Sequence, residues 1–343
     1  MPTRRAFLAT AGLLSAAARA QSSGEAGVVR AVVAQDGSGD FPTVQRAVDH
    51  VLDHPPRDVS RVILDIRPGV YRERVKVPRD SINFTFAGRD AASTAISASM
   101  SAAAAGGTFF SSIVEVTADG FEARNITFEN SFGVGSQAVA ISLHSDRATF
   151  HNCRFSGWQD TLYASSGRQY YRDCFVEGHV DFIFGNAAAV FDQCEIHSRG
   201  SGYIAASSRT TPDEPTGLIF RGCRLTGVPG LLRLNSAAAA AGETPFPPKD
   251  SGAGVYLGRP WRDYARTVYI ECRMGEHIRP DGWGNWGIPA REKTAWFGEA
   301  GSSGPGANPA GRVEWAHRLT PAEAAEFAPA VFLKGRDGWN PAR

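Results

Sequence analysis

The four-residue unit Asn152-Cys153-Arg154-Phe155 returns as Asp173-Cys174-Phe175-Val176 and again as Gln193-Cys194-Glu195-Ile196. In each copy a polar residue or Gly precedes Cys or Ile, any residue follows, and an apolar residue closes the unit. The other copies are Asn125-Ile126-Thr127-Phe128, Gly222-Cys223-Arg224-Leu225 and Glu271-Cys272-Arg273-Met274. Because the second and fourth side chains of such a unit point to the same side of a strand, each copy predicts a short strand.

The spacing of these copies predicts a solenoid. Successive copies are 27, 21, 20, 29 and 49 residues apart. The shorter steps leave no room for a strand–helix–strand repeat, and they fit one coil built from short strands. Stacked coils share a continuous apolar interior that no single coil has. We therefore expect an all-β fold, a right-handed single-stranded parallel β-helix, over approximately residues 28–300. The 49-residue step corresponds to two coils, or to one coil with the Ala-rich insertion Ala237–Gly242.

Helices are expected to cover both ends of this solenoid. Near the start, apolar residues recur with helical periodicity at Val44, Ala47, Val48, Val51 and Leu52. Near the end, Thr320-Pro321-Ala322-Glu323 is a capping box with Pro at the first helical position. Capping helices protect the open edges of a solenoid from edge-to-edge association. No long linker interrupts residues 28–343, which we expect to form one domain.

Composition excludes two broad classes of protein. The 343 residues include 36 Lys+Arg and 35 Asp+Glu, and a net charge of +1 argues against a nucleic-acid binder. No run of 18 apolar residues is present, so no membrane-spanning helix is expected. Residues 1–20 combine the pair Arg4-Arg5, an apolar stretch through Ala18 and the small-x-small site Ala18-Arg19-Ala20. They are typical of a twin-arginine export signal, which implies a bacterial protein in the periplasm or secreted.

Four of the five cysteines occupy successive copies of the repeat. Neighbouring strands are about 4.8 Å apart, a spacing that a disulfide can bridge. An oxidising compartment favours such a bond, and Cys174 with Cys194 is the best candidate pair. A buried ladder of free thiols is the alternative, and the sequence leaves both open. The absence of CxxC or Cys/His spacing argues against a metal site.

The polar residues that suit chemistry concentrate in four short segments. Gln137 and Gln159 are 22 residues apart, and Asp160 and Asp181 are 21 apart, which matches the coil step. Residues one coil apart stack on the same wall of a solenoid, so two amides and two carboxylates are expected to meet on one exterior patch. The segments are Gln137–Ala140, Gly157–Tyr163, Val180–Asn186 and Leu257–Trp261.

This patch has the composition of an ester-cleaving site. Asp181 lies in an apolar run, where an unpaired carboxylate is costly to ionise. Two adjacent carboxyl groups separate their pKa values, so one is ionised while the other keeps its proton. That division suits a nucleophile beside a general acid. Glutamine amides can stabilise an oxyanion, and an arginine can hold one carboxylate ionised.

The four segments, in this order, resemble those of the pectin methylesterases (pectinesterases). The resemblance also covers Val33–Phe41, Gly69–Glu73, Gly304–Ala307 and Gly311–Val313, and so nearly the whole chain after the export signal. The fold of that family is a parallel β-helix, in agreement with the repeat. The activity implied is hydrolysis of galacturonate methyl esters in pectin, without a cofactor or a metal.

The resemblance also implies a role for each site residue. Asp181 is the expected nucleophile, and Asp160 is the acid that protonates departing methanol and then the base for water. Gln137 and Gln159 are expected to stabilise the oxyanion, and Arg259 to orient Asp181 and keep it charged. Sugar rings are expected against three aromatic residues, Tyr163, Phe184 and Trp261.

Other functions stay open at this level. A polygalacturonate lyase or hydrolase uses the same scaffold, although a lyase usually needs more clustered carboxylates to hold Ca²⁺, and an inverting glycosidase leaves the glutamines and Arg259 without roles. An esterase for another acyl group, such as a thioester or an acetylated sugar, would share the apparatus. A non-catalytic binding protein predicts loss of Asp160, Asp181 or Arg259, and all are present. We expect a monomer, with a loop at Asn235–Gly254 beside the groove.

Overall fold

Short parallel strands wind around one axis in the computed structural model, which describes residues 21–22, 27–79, 82–231 and 254–342. The export-signal residues 1–20 and most of segment 235–254 lie outside the described residues. The strands form three faces, each built from one strand per coil. The first face contains β2 (Val28–Val33), β3 (Arg61–Ile66), β6 (Asn83–Gly88), β9 (Glu122–Arg124), β12 (Ala148–His151), β15 (Arg168–Arg172), β17 (Ala188–Asp192), β19 (Gly217–Arg221), β22 (Arg266–Ile270), β24 (Trp296–Ala300) and β25 (His317–Arg318). At its edge β1 (Gln21–Ser22) pairs antiparallel with β2.

The second and third faces merge at two long strands, β16 (Phe175–Gly185) and β18 (Glu195–Ser207), which bend from one face to the other. The second face otherwise contains β4 (Gly69–Tyr71), β7 (Thr94–Ala98), β10 (Thr127–Asn130), β13 (Arg154–Ser156), β20 (Arg224–Gly227) and β23 (Arg273–Met274). The third contains β5 (Val75–Val77), β8 (Val114–Val116), β11 (Ile141–His144), β14 (Leu162–Ser166) and β21 (Val255–Pro260). The prediction of a parallel β-helix is confirmed.

A single residue in the left-handed conformation turns the chain from the first face to the second. It is the polar or glycine residue that opens each copy of the repeat, with φ between 50° and 57° at Asn125, Asn152, Asp173, Gln193, Gly222 and Glu271. Gly and Asn tolerate this conformation best, because a side chain there crowds the following carbonyl. The recurring first position of the repeat is therefore a conformational requirement of the corner.

Aromatic rings stack along the axis inside the solenoid. Neighbouring rings in the row lie 4.4 to 5.0 Å apart and nearly parallel: Phe150, Tyr171, Phe191, Phe220 and Tyr269. In-register pairing of β12, β15, β17, β19 and β22 brings each ring onto the next. The coils therefore share one buried core rather than several small ones.

The 49-residue step of the repeat is one coil with an insertion. Strand β19 pairs directly with β22, so Leu218 is opposite Thr267, and β18 pairs directly with β21. No coil intervenes between these neighbours. The extra residues therefore fall between Leu231 and Gly254 in the sequence, and these positions are outside the described part of the chain.

Both predicted helices form, but only the first covers an end of the solenoid. The second packs against the outer side of the first face, where Arg221 donates to the carbonyl of Ala324. Val44–Asp53 buries Val44, Ala47, Val48 and Val51 against the first coils, with Thr43 as its N-cap. The carboxylate of Glu73 accepts hydrogen bonds from the amides of Val44 and Gln45, at 2.8 and 2.9 Å. The helix Pro321–Ala325 begins with the predicted capping box. Short helices also occur at Ala102–Ala105 and Pro329–Phe332, with 3₁₀ turns at Thr108–Phe110 and Pro289–Lys293. Among the described helices, none is long and apolar enough to cross a membrane.

The cysteines form a ladder of buried free thiols, and the candidate disulfide between Cys174 and Cys194 is absent. The thiol of Cys174 lies 3.3 Å from the carbonyl oxygen of Arg172, and that of Cys194 lies 3.4 Å from the carbonyl oxygen of Tyr171. Each thiol thus satisfies a backbone acceptor as a small buried group. The structure adopts the second of the two alternatives that the spacing left open.

We therefore expect thermal unfolding to be insensitive to reductant. The melting temperature measured with and without a phosphine reductant should agree, and thiol titration of the denatured, unreduced protein should find five thiols per chain. A control under native conditions should find almost none, because every thiol is buried. Three thiols in the denatured protein, with a melting temperature lowered by reductant, would reinstate the disulfide.

Candidate active site

Register brings the four polar segments onto the third face. Gln137 and Gln159 are paired through an isolated parallel bridge, in which the amide of Ala138 donates to the carbonyl of Gln159 at 3.1 Å. One coil further, Leu162 lies opposite Ile183 and Tyr163 opposite Phe184. The same 21-residue offset aligns Asp160 with Asp181. The coil spacing read from the sequence therefore places two amides and two carboxyls on neighbouring strands.

Both aspartates adopt the left-handed backbone conformation. The φ angle is 64° at Asp160 and 49° at Asp181, and the amide of Asp160 donates to the carbonyl of Val180 at 3.1 Å. The pairing of β16 with β18 is irregular between Val180 and Ile183, where Asp181 sits. Such irregularities reorient a side chain locally, and strained backbone of this kind concentrates at functional sites.

Arg259 clamps Asp181 through two parallel hydrogen bonds. Its Nε lies 2.9 Å from one carboxylate oxygen and its Nη2 lies 2.5 Å from the other. The guanidinium carbon is 4.0 Å from the ring centre of Tyr203 and 3.7 Å from that of Trp286. Stacking on aromatic rings and bidentate pairing both suit a planar guanidinium. The arginine is therefore held by its neighbours, and it in turn orients the carboxylate.

Burial separates the protonation behaviour of the two carboxyl groups. Asp160 is 8% exposed, and its pKa is well above the ordinary value because of burial and the nearby charge of Asp181. Asp181 is 6% exposed, so burial raises its pKa, but Arg259 opposes that rise by attraction and by hydrogen bonding. When the pair holds one proton, it therefore resides on Asp160, and Asp181 is the anion.

Two glutamine amides face the same cleft. Gln137 and Gln159 both line it and are partly exposed. Within the described part of the chain, neither side-chain amide has a hydrogen-bond partner in the protein. Their N–H groups are therefore available to an oxygen atom that binds between them and the aspartates.

The aromatic residues predicted for the site divide into two groups. Phe184 and Trp261 line the cleft, whose volume is about 360 Å³. Tyr163 is outside this lining and lies beside Phe184 on the neighbouring strand, with its ring stacked 4.6 Å from that of Phe184 and 5.0 Å from that of Phe109. Tyr163 therefore extends the row of aromatic rings at the edge of the cleft.

Sequence reasoning missed several residues of the cleft. Thr108 and Phe109 come from the 3₁₀ turn after Ala102–Ala105, and the ring of Phe109 is 48% exposed. Trp286 lies in an irregular loop, so no repeat places it beside Arg259. The one available signal was the pair Phe109-Phe110 shortly after Gly106-Gly107, a context without the alternation of a core strand.

No group of three or more His, Cys, Asp or Glu side chains is positioned to hold a metal ion among the residues that the structure describes. The polar side chains that line the cleft include two carboxyl groups, one guanidinium and two amides.

Comparisons with known proteins agree on one family. The family model described as Pectinesterase matches residues 30–336. Pectinesterase 31 of Arabidopsis thaliana is 40% identical over 312 residues, covering 88% of this chain and 91% of that protein. A pectinesterase/pectinesterase inhibitor U1 of Solanum lycopersicum is 39% identical over 89% of this chain, which spans about half of that relative, 51%. The solved pectin methylesterase from carrot superposes with a TM-score of 0.81 at 36% identity, covering 92% of this chain and 96% of that one.

The raised pKa of Asp160 predicts a pH-dependent gain in stability from Asp160→Asn. Near pH 4 the carboxyl group is protonated in the folded chain and only about half ionised in the unfolded chain, so the substitution changes stability little. At pH 7 the unfolded chain gains by ionising Asp160 while the folded chain keeps the proton, which destabilises the fold. The variant escapes that effect, and its melting temperature should exceed the wild type's at pH 7 by about two degrees or more.

Calorimetry at pH 4 and pH 7 measures this difference. Asp53→Asn is a matched control, because Asp53 is exposed at the end of the first helix. It should leave the melting temperature unchanged at both pH values. A gain for Asp160→Asn that is equal at the two pH values would show that Asp160 is not held protonated in the fold.

Proposed function

The chain belongs to the pectinesterase family, and from that membership we propose that it hydrolyses the methyl esters of galacturonate units in pectin, releasing pectate and methanol. The observation that carries the catalytic assignment is the pairing of Arg259 with Asp181 beside a buried, protonated Asp160. An oriented anion and a proton donor within one cleft are the two groups that ester cleavage by a carboxylate nucleophile requires.

Asp181 performs the first step as nucleophile. Its carboxylate oxygen adds to the ester carbonyl carbon at C6 of the sugar, and the carbonyl electron pair moves onto oxygen. Gln137 and Gln159 donate their N–H groups to that oxyanion, and each such donor typically lowers the barrier by about 2.7–4 kcal/mol. Arg259 holds Asp181 in the attacking orientation without removing its nucleophilic electron pair.

Asp160 completes the first step as an acid. As the tetrahedral intermediate collapses, the bond from carbon to the methoxy oxygen breaks, and the proton of Asp160 passes to that oxygen. Methanol leaves, and the acyl group remains on Asp181 as an anhydride. The raised pKa of Asp160 suits this role, because the group still carries its proton near neutral pH.

In the second step water hydrolyses the anhydride, and Asp160 acts as a base instead of an acid. Asp160, now a carboxylate, takes a proton from water as the oxygen of that water adds to the anhydride carbonyl. Collapse of this second intermediate breaks the bond to Asp181 and releases the galacturonate carboxyl group. The two aspartates return to their initial states with no net change of charge on the enzyme.

The aromatic walls supply the contacts for the sugar. Phe184 and Trp261 present apolar faces at the cleft, which suit the C–H face of a pyranose. The ring of Tyr163 stacks beside that of Phe184 on the neighbouring strand. The proposed substrate is polymeric methyl-esterified homogalacturonan. The enzyme is proposed to act as a monomer. Export directed by residues 1–20, to the periplasm or the medium, is part of the same proposal because pectin lies outside the cell.

Loss of the nucleophile is expected to abolish turnover. Asp181→Ala should release methanol from methylated polygalacturonate at least about 10⁴-fold more slowly than the wild type, because no acyl-enzyme can form. Asp53→Ala, at an exposed helix end, is the matched control and should retain full activity. Methanol is measured directly, alongside unsaturated products, new reducing ends, and release from acetylated and thioester substrates.

These parallel assays separate the alternatives. Unsaturated or reducing-end products without methanol would assign a lyase or a glycosidase instead. Faster turnover of an acetylated sugar or a thioester would assign another acyl substrate. Substantial methanol release by Asp181→Ala would remove Asp181 as the nucleophile.

Substitution of the clamp is expected to move the acidic limb of the pH profile. Activity requires ionised Asp181, so the rate falls as pH falls through the pKa of that carboxyl group. Arg259 lowers this pKa by a bidentate contact that lysine cannot reproduce, so Arg259→Lys should shift the acidic limb of kcat/KM to higher pH. The rate at pH 7 should fall about ten-fold or more, since one of two charged hydrogen bonds is lost.

Profiles from pH 4 to 9 for wild type, Arg259→Lys and the distant control Arg273→Lys test this expectation. Arg273 is exposed on β23, which belongs to the second face, whereas the clamp lies on the third. An unchanged acidic limb in Arg259→Lys, with only a uniform loss of rate, would mean that Arg259 does not control the ionisation of Asp181.

A further inference from the structure

A second pocket with a basic lining lies next to the catalytic cleft along the chain. The segment from Trp261 to Tyr264 contributes to both, since Trp261 lines the cleft and Tyr264 lines the pocket. The pocket has a volume of about 630 Å³, within the range of sites that bind small molecules. Its other lining residues include Arg209, Arg266, Lys293, Trp296, Phe327 and Phe332.

Arg266 enters this pocket without a partner for its charge. It begins β22, and its stem passes over Gly217 of the preceding coil, where an added methyl group would lie 2.9 Å from its Cδ. Across the described ranges, its guanidinium makes no hydrogen bond or ion pair, and its carbon lies 5.9 Å from the ring centre of Trp296. Burial and the nearby Arg209 lower the pKa of Arg266 to about 10, so it remains charged at neutral pH.

The neighbouring cations are not neutralised by contact with carboxylates. Arg209 is 4% exposed and donates to the backbone carbonyls of Glu214, at 3.0 Å, of Tyr264, at 3.5 Å, and of Pro212. Lys293 forms no ion pair with any residue that the structure describes.

Three carboxylates lie in the surroundings, and none contacts Arg266. Glu326 lines the pocket from the C-terminal segment and is exposed. Asp213 and Glu214 act on Arg209 through space, and the oxygens of Glu214 accept hydrogen bonds from Thr210 and Asn186. Arg266 is partly exposed, and its guanidinium has lost part of its hydration without gaining a carboxylate, so an anion entering beside it gains a charge-assisted contact.

The rest of the lining selects what kind of anion fits. Trp296, Phe327 and Phe332 join Pro212 and Pro215 in the apolar part of the lining, and Trp296 lies beside Arg266 on the neighbouring strand. A small inorganic ion would leave this apolar part in contact with water. An anion attached to a ring with an apolar face contacts both surfaces, because aromatic side chains pack against such faces while the charged group reaches arginine.

We propose that this pocket binds a galacturonate unit of de-esterified pectin, with its carboxylate on Arg266 and Lys293 and its pyranose face on Trp296. The proposal rests on the proposed function, since each turnover converts a neutral ester into that carboxylate. The pocket then holds product units of a polymer whose remaining esters lie near the cleft. Such a second attachment raises the local concentration of substrate for long chains and leaves short ones unaffected.

Arg266→Gln tests this assignment, with Arg273→Gln as a control that removes the same charge from exposed strand β23. Isothermal titration with fully de-esterified trigalacturonate should show affinity about ten-fold or more weaker for one binding event in Arg266→Gln. Arg273→Gln should match the wild type. Inorganic sulfate, titrated in parallel, should bind the wild-type pocket more weakly than trigalacturonate does.

Kinetics supply the second readout. Arg266→Gln should raise KM for long, partly de-esterified pectin several-fold while kcat/KM for a methyl-esterified trimer stays at the wild-type value. Lys293→Gln should show the same pattern. The melting temperature of Arg266→Gln shows whether that variant folds, and Lys293→Gln tests the pocket if it does not. Titrations and KM values equal to the wild type's in both variants would overturn the proposal. Sulfate binding as tight as trigalacturonate would also overturn it, by showing a site for any anion.

These outcomes are separable from a failure of the proposed function. Methanol release from methylated pectin by the wild type reports catalysis, and it does not depend on the pocket. A protein that releases no methanol but loses trigalacturonate binding with Arg266→Gln retains the pocket and refutes the esterase. Methanol release by the wild type, together with unchanged trigalacturonate binding in Arg266→Gln, supports the esterase and refutes the pocket.

Discussion

In-register parallel pairing between neighbouring coils is the constraint on which the rest of this structure depends. Residues 21 or 22 apart in sequence lie one strand apart in space, which is how Asp160 comes to lie beside Asp181 and Gln137 beside Gln159. A strand alternates its side chains with a period of two, so a slip of one residue would direct an aspartate into the core. The same pairing stacks the buried rings from Phe150 to Tyr269, so the register that stabilises the core also assembles the site.

The electrostatics of the cleft follow from placing one cation beside two buried carboxyls. Arg259 lies two strands from Asp181, because Phe184 is opposite Ala206 and Ala206 is opposite Arg259. Two strand spacings are about 9.6 Å, a distance that a long side chain can span. The guanidinium crosses the strand between them next to the ring of Tyr203, 4.0 Å away. The guanidinium engages the carboxylate of Asp181 alone, so Asp160 has no comparable partner and retains its proton.

The sequence was sufficient for the features that repeat. The Cys-containing unit predicted the strands, the coil step predicted the stacking of the aspartates, and Thr320 to Glu323 predicted the terminal helix. The sequence did not predict the cleft residues that lie outside the repeat. Trp286 and Phe109 reach the cleft from irregular segments whose positions no spacing encodes. The choice between thiols and a disulfide also lay beyond it, because strand spacing permits both and only the direction of the side chains decides.

The residues of the cleft that the sequence predicted and those that it did not have different functions. The groups assigned to bond making lie on or directly beside the strands of the third face, where the register between coils fixes their spacing, as precise chemistry requires. The residues that surround the substrate come largely from loops and turns, including the Trp261 to Tyr264 segment that the cleft and the basic pocket share. Loops tolerate insertion and substitution without disturbing the coil register. A solenoid of this kind can therefore keep its reaction constant while its contacts with a polymer change.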